Sequence, residues 1–166
     1  MSGTAIVRAT MLMATVVWAW VEVLKIRRPG QVDPARRLWT AGIALALIHA
    51  VVAFDVAYQW SHEAALIDTA RRTAAVTGVA WGGGIFVNYL FLAIWVADGL
   101  WWWAAPVAYL RRPVALERAR LALFVFMFLN GAILFAGNAA RAVGIPAVVT
   151  VCMTWALDVR RHPART

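Results

Sequence analysis

The chain has 166 residues, of which 63% are hydrophobic, and its mean hydropathy is +0.71. A soluble domain carries about 45–50% apolar residues, so this composition excludes an ordinary water-soluble fold and makes lipid the expected solvent. The formal charge of +8 does not mark a nucleic-acid surface, because the basic residues fall in short clusters between apolar runs.

A helix needs about 20 apolar residues to cross a bilayer, and five segments approach that length: 5–26, 38–58, 84–105, 116–136 and 144–159. The sequence therefore predicts an all-α integral membrane protein, a single polytopic domain over 1–166. Its expected architecture is a bundle of five transmembrane helices, with a short amphipathic outer helix between spans two and three. The first run lacks a basic region before it and is too long for a signal-peptide core, so it reads as an uncleaved span. Arg27-Arg28-Pro29-Gly30 ends it. The fifth run opens at Gly144-Ile145-Pro146 and is short, about 15 residues reaching about 23 Å. Four spans plus a re-entrant tail is the alternative.

Charge sets the expected orientation, because short cytoplasmic loops hold the Lys and Arg excess. Lys25, Arg27, Arg28, Arg36, Arg37, Arg111, Arg112, Arg118, Arg120, Arg160, Arg161 and Arg165 fall on one side, against Arg8, Arg71, Arg72 and Arg141 on the other. The N-terminus is then outside and the C-terminus cytoplasmic. Arginine in preference to lysine, with abundant alanine, fits a GC-rich bacterial genome and hence a bacterial plasma membrane. Trp39, Trp101, Trp102, Trp103 and Trp155 would form the inner aromatic belt, with Trp60 and Trp81 at the outer boundary.

The outer connection carries its own helix signals: Ser61 as N-cap, Glu63 in the first turn and Gly78 as the stop. Leu66, Ala70, Thr73 and Ala74 share one face, while Asp68, Arg71 and Arg72 take another. Gly82-Gly83-Gly84 reads as a tight turn or hinge into span three.

Ionisable groups inside a bilayer cost several kcal/mol unless paired, so each needs a partner. Counted from the inner edge, His49, Asp98 and Asn130 lie at about 11–15 Å. They form a mid-membrane polar layer read chiefly as interhelical hydrogen bonding. An imidazole beside a carboxylate could instead relay protons. Asp55 and Asn88 lie at about 22–25 Å, with His62 and Glu63 just beyond. These four form the outer polar cluster and the preferred candidate site. Glu22 is expected to pair with Lys25 three residues on, near the inner edge, and Cys152 to be a small core residue.

No catalytic signature is matched. His62-Glu63 begins like a metalloprotease motif, but Leu66 stands where its second histidine belongs. A lone cysteine excludes a disulfide or a Cys-based metal cluster. His49 and His62 are about 20 Å apart along a helix, too far for one bis-histidine haem, which leaves axial ligation by His49 alone or with a second chain. The expectation is no metal and no cofactor.

The expected role is non-enzymatic: an accessory or assembly subunit of a membrane complex. Its partners would be the lipid bilayer and a membrane protein or a second copy of the chain, with no nucleic acid. Two other classes compete, a small transporter or proton-linked carrier using Asp55, His49 and Asp98, and a membrane redox protein binding haem or a metal.

Overall fold

A computed structural model describes residues 2–134 and 138–161. All regular structure among them is helical: α1 (Gly3–Arg27), α2 (Val32–Tyr58), α3 (His62–Thr77), α4 (Gly84–Ala104), α5 (Pro106–Leu110), α6 (Val114–Leu134) and α7 (Asn138–Arg161). Among the described residues four helices are long and apolar enough to cross a membrane: α1, α2, α4 and the stretch Ala140–Arg160 of α7.

The short fifth segment is thus a full-length helix. It begins at Asn138 and carries Pro146 inside it, where a break was expected. Among the described residues α6 is not one of these four, since within Val114–Leu134 Glu117, Arg118 and Arg120 crowd the first two turns; the end of the expected fourth span, 135–136, lies outside the described residues.

Helix α2 also starts earlier than its hydropathy suggests. Pro34 is tolerated in the first turn, where its missing N–H would be unpaired anyway, and Asp33 accepts from Arg36 at 2.7 Å. The helix therefore begins at Val32, about 9 Å before Leu38 by helical rise. Helix α3 follows its local signals. Ser61 Oγ accepts from the Ala64 amide at 3.1 Å, and Gly78 ends the helix in the left-handed region at φ 78°, which glycine adopts without steric cost.

The long helices close into a ring. Helix α1 lies between α2 and α7, α4 lies between α2 and α6, and α6 returns to α7. Successive long helices alternate in direction, so the ends of α1, α4 and α7 gather with the starts of α2 and α6. That end is the clasp end below, and the opposite one is the α3 end.

Between them the core is aromatic. Trp18 stacks on Phe128 with centroids 4.5 Å apart, and Trp39 stacks on Phe124 at 5.4 Å. Phe91 and Trp95 fill the remaining space edge-on against Phe124 at 4.9 and 5.2 Å. Gly42 makes room for Trp95, since a Cβ there would lie 2.9 Å from the indole.

Trp39 and Trp102, expected in an interfacial belt, are fully buried instead, as are Trp18 and Trp95. Among the described residues their indole N–H groups find no acceptor; the large apolar area of each buried ring offsets that loss. Trp60, Trp81 and Trp103 do face outward. Cys152 also faces outward, contrary to the core position expected of it, because Val151 and Thr154 take the buried stripe of α7.

Candidate functional site

Three helices bring a charged side chain to the clasp end on the same stripe that carries their aromatic core residues. On α1, Glu22 follows Trp18 by one turn. On α4, Asp98 follows Trp95, and on α6, Arg120 precedes Phe124. The 3.6-residue period that buries the aromatic therefore buries the charge next to it. Glu22 and Arg120 side chains are each only 4% exposed.

Arg120 is the hub. Its Nη1 lies 2.8 Å from Glu22 Oε1, an ion contact without hydrogen-bond alignment. Its Nη2 donates to Glu22 Oε2 at 3.0 Å and to Glu117 Oε1 at 2.7 Å. Its Nε donates to Glu117 Oε2 at 3.3 Å and lies 3.9 Å from Asp98 Oδ1. Lys25 Nζ donates to Glu117 Oε1 at 2.9 Å and sits 3.6 Å from Glu22. Arg112 also donates to Glu117.

Three carboxylates thus meet three cations. Removing two charges from water costs several kcal/mol per ion, and only close geometry with further hydrogen bonds repays it. The forked Arg120–Glu22 contact and the triply bound Glu117 supply that geometry.

Aromatic rings close the cluster. Tyr109, on α5, donates its hydroxyl to Asp98 Oδ2 at 2.9 Å and stacks on Trp102 at 4.6 Å with planes 12° apart. Burial, and then the Asp98 charge, push the Tyr109 hydroxyl well above its ordinary range, so it stays protonated and remains a donor. The Arg112 guanidinium covers the Tyr109 ring at 3.6 Å, and that of Arg120 lies 5.0 Å from the Trp39 centroid. These cation–π contacts gain strength where water is excluded.

A cleft of about 330 Å³ opens at this end between α1, α5, α6 and α7. Its floor is the ion cluster, reached through Lys25, Arg112 and Glu117, and its wall on α7 is Trp155 and Asp158. A second hollow of about 310 Å³, between α1, α2 and Val143 of α7, is lined only by aliphatic side chains and Met13.

The outer polar cluster is distributed. Asp55 Oδ1 accepts from the Trp60 indole at 3.1 Å, held by a turn in which Gln59 and Trp60 are both left-handed. His62 Nδ1 pairs with the Tyr89 hydroxyl at 3.0 Å, its ring stacked on Tyr89 and edge-on to Phe86. Glu63 is exposed and Asn88 half-buried, and among the described residues neither makes a side-chain hydrogen bond or ion pair. No hydrogen bond or ion pair joins any two of the four.

The mid-membrane layer separates as well. Instead of facing Asp98, His49 donates from Nδ1 to the Val7 carbonyl at 2.9 Å. Asn130 is half-buried on α6, without a hydrogen-bonded partner among the described residues. The reason is register. Gly42 faces Trp95, and Gly99 faces Trp39 and Ile43, so Asp98 lies level with Trp39, ten residues or about 15 Å along α2 from His49. Taking the α2 edge at Leu38 rather than Val32 produced the apparent match in depth.

Asp68 anchors α3. It accepts from Tyr58 at 3.1 Å, from Arg72 at 2.7 Å and from Arg71. Burial pushes its carboxyl up, but the hydrogen bonds from Arg72 and Arg71 outweigh this and hold it below the ordinary aspartate range. No sequence motif marks Glu117, Arg120, Arg112 or Tyr109 as part of a site. The available signal was the Glu117/Arg120 pair three residues apart, with Arg120 in phase with Phe124 and Phe128.

Among the described residues, no three His, Cys, Asp or Glu side chains converge as metal donors. The chain matches no protein-family model, no curated protein and no solved structure.

Proposed function

We propose that this chain is a five-span protein of a bacterial plasma membrane that acts without catalysis, as an accessory or assembly subunit. The observation that carries the reading is the mutual pairing at the clasp end. Two buried carboxylates, Glu22 and Asp98, and the half-buried Glu117 are matched by three cations, which ties α1, α4, α5 and α6 together and leaves no charge in the cluster free for chemistry. The arrangement supports α6 as a fifth span, because Glu117 and Arg120 turn inward and leave apolar side chains such as Phe126 and Leu129 outward.

Orientation follows from the surface. Arg27, Arg28, Arg37, Arg111, Arg118 and Arg160 are exposed at the clasp end, which favours the cytoplasmic side and puts the N-terminus outside. A proton-linked carrier is the weaker reading, since Trp18, Trp39, Trp95, Phe124 and Phe128 fill the space between the clasp and the α3 end.

Two experiments test this. Extraction in mild detergent followed by native mass measurement is expected to recover an assembly with a partner protein or a second copy; a lone monomer contradicts it. In a Cys152→Ser background, Val79→Cys should be labelled from outside intact cells, and Gly30→Cys only after permeabilisation. The reverse pattern overturns the orientation.

A further inference from the structure

Within the cleft at the clasp end, the charges divide into two sets. Glu22, Lys25, Arg112 and Glu117 are held in the ion cluster at its floor. The two remaining charges are Arg118 of α6 and Asp158 of α7. The Arg118 guanidinium lies 5.7 Å from the Trp155 centroid, and among the described residues it has no carboxylate partner. Asp158, three residues beyond Trp155 on the same helix, has no cation partner among them either.

The cleft therefore presents one positive group near the Trp155 indole and one negative group a turn further along α7, above a floor whose charges cancel. A simple anion would meet Asp158, and a simple cation would meet Arg118. A molecule carrying both charges satisfies both. The volume of about 330 Å³ is at the lower end for ligand sites, which run from about 300 Å³ upward, so the ligand must be small.

We propose that the cleft binds a small zwitterion with an acid group and a primary ammonium close together, the acid on Arg118 and the ammonium on Asp158. Its source is either a molecule free in the water on that side or the headgroup of a phospholipid. The site requires no partner protein and stands whether or not the docking role above holds.

Calorimetric titration of the detergent-solubilised full chain with O-phosphoethanolamine tests the free form. Saturable binding is expected, with affinity at least tenfold weaker in Arg118→Gln and in Asp158→Asn. Both substitutions lie outside the ion cluster and should leave thermal melting unchanged. If only a headgroup binds, soluble O-phosphoethanolamine gives no heat, but nanodiscs of phosphatidylethanolamine raise the melting temperature over phosphatidylglycerol, and both variants lose the difference.

Three results overturn the proposal: neither form binding, both variants binding as tightly as the parent chain, or ethylamine or inorganic phosphate alone binding as well as O-phosphoethanolamine. The last control uses the unaltered protein, so the test survives a variant that fails to fold.

Discussion

At the clasp end, Glu22 meets Arg120 across 98 residues of chain and Lys25 meets Glu117 across 92. At the α3 end, Asp55 meets Trp60 five residues on, and Asp68 meets Arg71 and Arg72 within the next turn of its own helix. The same side-chain types build both regions, yet the Glu22–Arg120 pair is buried, the Lys25–Glu117 pair is half-buried and both join helices, while most α3-end pairs are partly exposed and stay local. A local pair decorates a helix that forms anyway. A buried distant pair fixes which helices are neighbours and in what register, and is costly to leave half made.

The sharpest way to break the contrast is Arg120→Met, which leaves Glu22 with only the looser Lys25 contact at 3.6 Å and strips Glu117 of one of its three cations. It should cost about 3–5 kcal/mol, read from unfolding of the micelle-bound protein. Next comes Tyr109→Phe. It leaves Asp98 Oδ2 without its donor and should cost about 1–3 kcal/mol, seen as a lower melting temperature with unchanged helix content by circular dichroism.

At the other end, effects should shrink. Asp68 titrates below the ordinary aspartate value in the folded chain, so its contribution is complete above that value, about 3.9. It is lost as pH falls through the lowered folded value. Protection factors of the α3 amides, taken relative to the intrinsic exchange rate at each pH, should therefore fall on acidification, and Asp68→Asn should flatten the profile. The pairs involved are worth about 0–1 kcal/mol. Smallest is Asp55→Asn, expected to stay within about 0.5 kcal/mol in the same melting measurement.

The difference between the two ends also explains what could be read from the sequence. Ser61 and Gly78 bound α3 as expected because capping uses contacts within a few residues. Hydropathy located α1, α2 and α4 but sets two helix starts too late: α2 at Leu38, although the helix already begins at Val32 with Pro34 in its first turn, and the last helix at Gly144, although Pro146 lies inside α7. The first of these displaced the depth scale and brought His49 level with Asp98, when Asp98 belongs beside Tyr109 and Arg120.

Glu117 and Arg120 lie next to Arg118 in sequence and look like part of a cytoplasmic charge run. Only the phase with Phe124 and Phe128 separates the inward pair from the exposed Arg118. Trp39 and Trp102 were misplaced for a related reason. Composition says that an indole suits an interface, whereas the ring of helices decides which face of each helix has one.

The central claim is that Glu22 and Arg120 hold α1 to α6 as a unit. A double-mutant cycle of Glu22→Gln, Arg120→Gln and the combined variant, followed by reversible unfolding in one detergent, measures it directly. A coupling of at least about 1.5 kcal/mol is expected, in the range seen for close charge pairs. Losses that add to within about 0.5 kcal/mol, as independent sites do, would contradict the account.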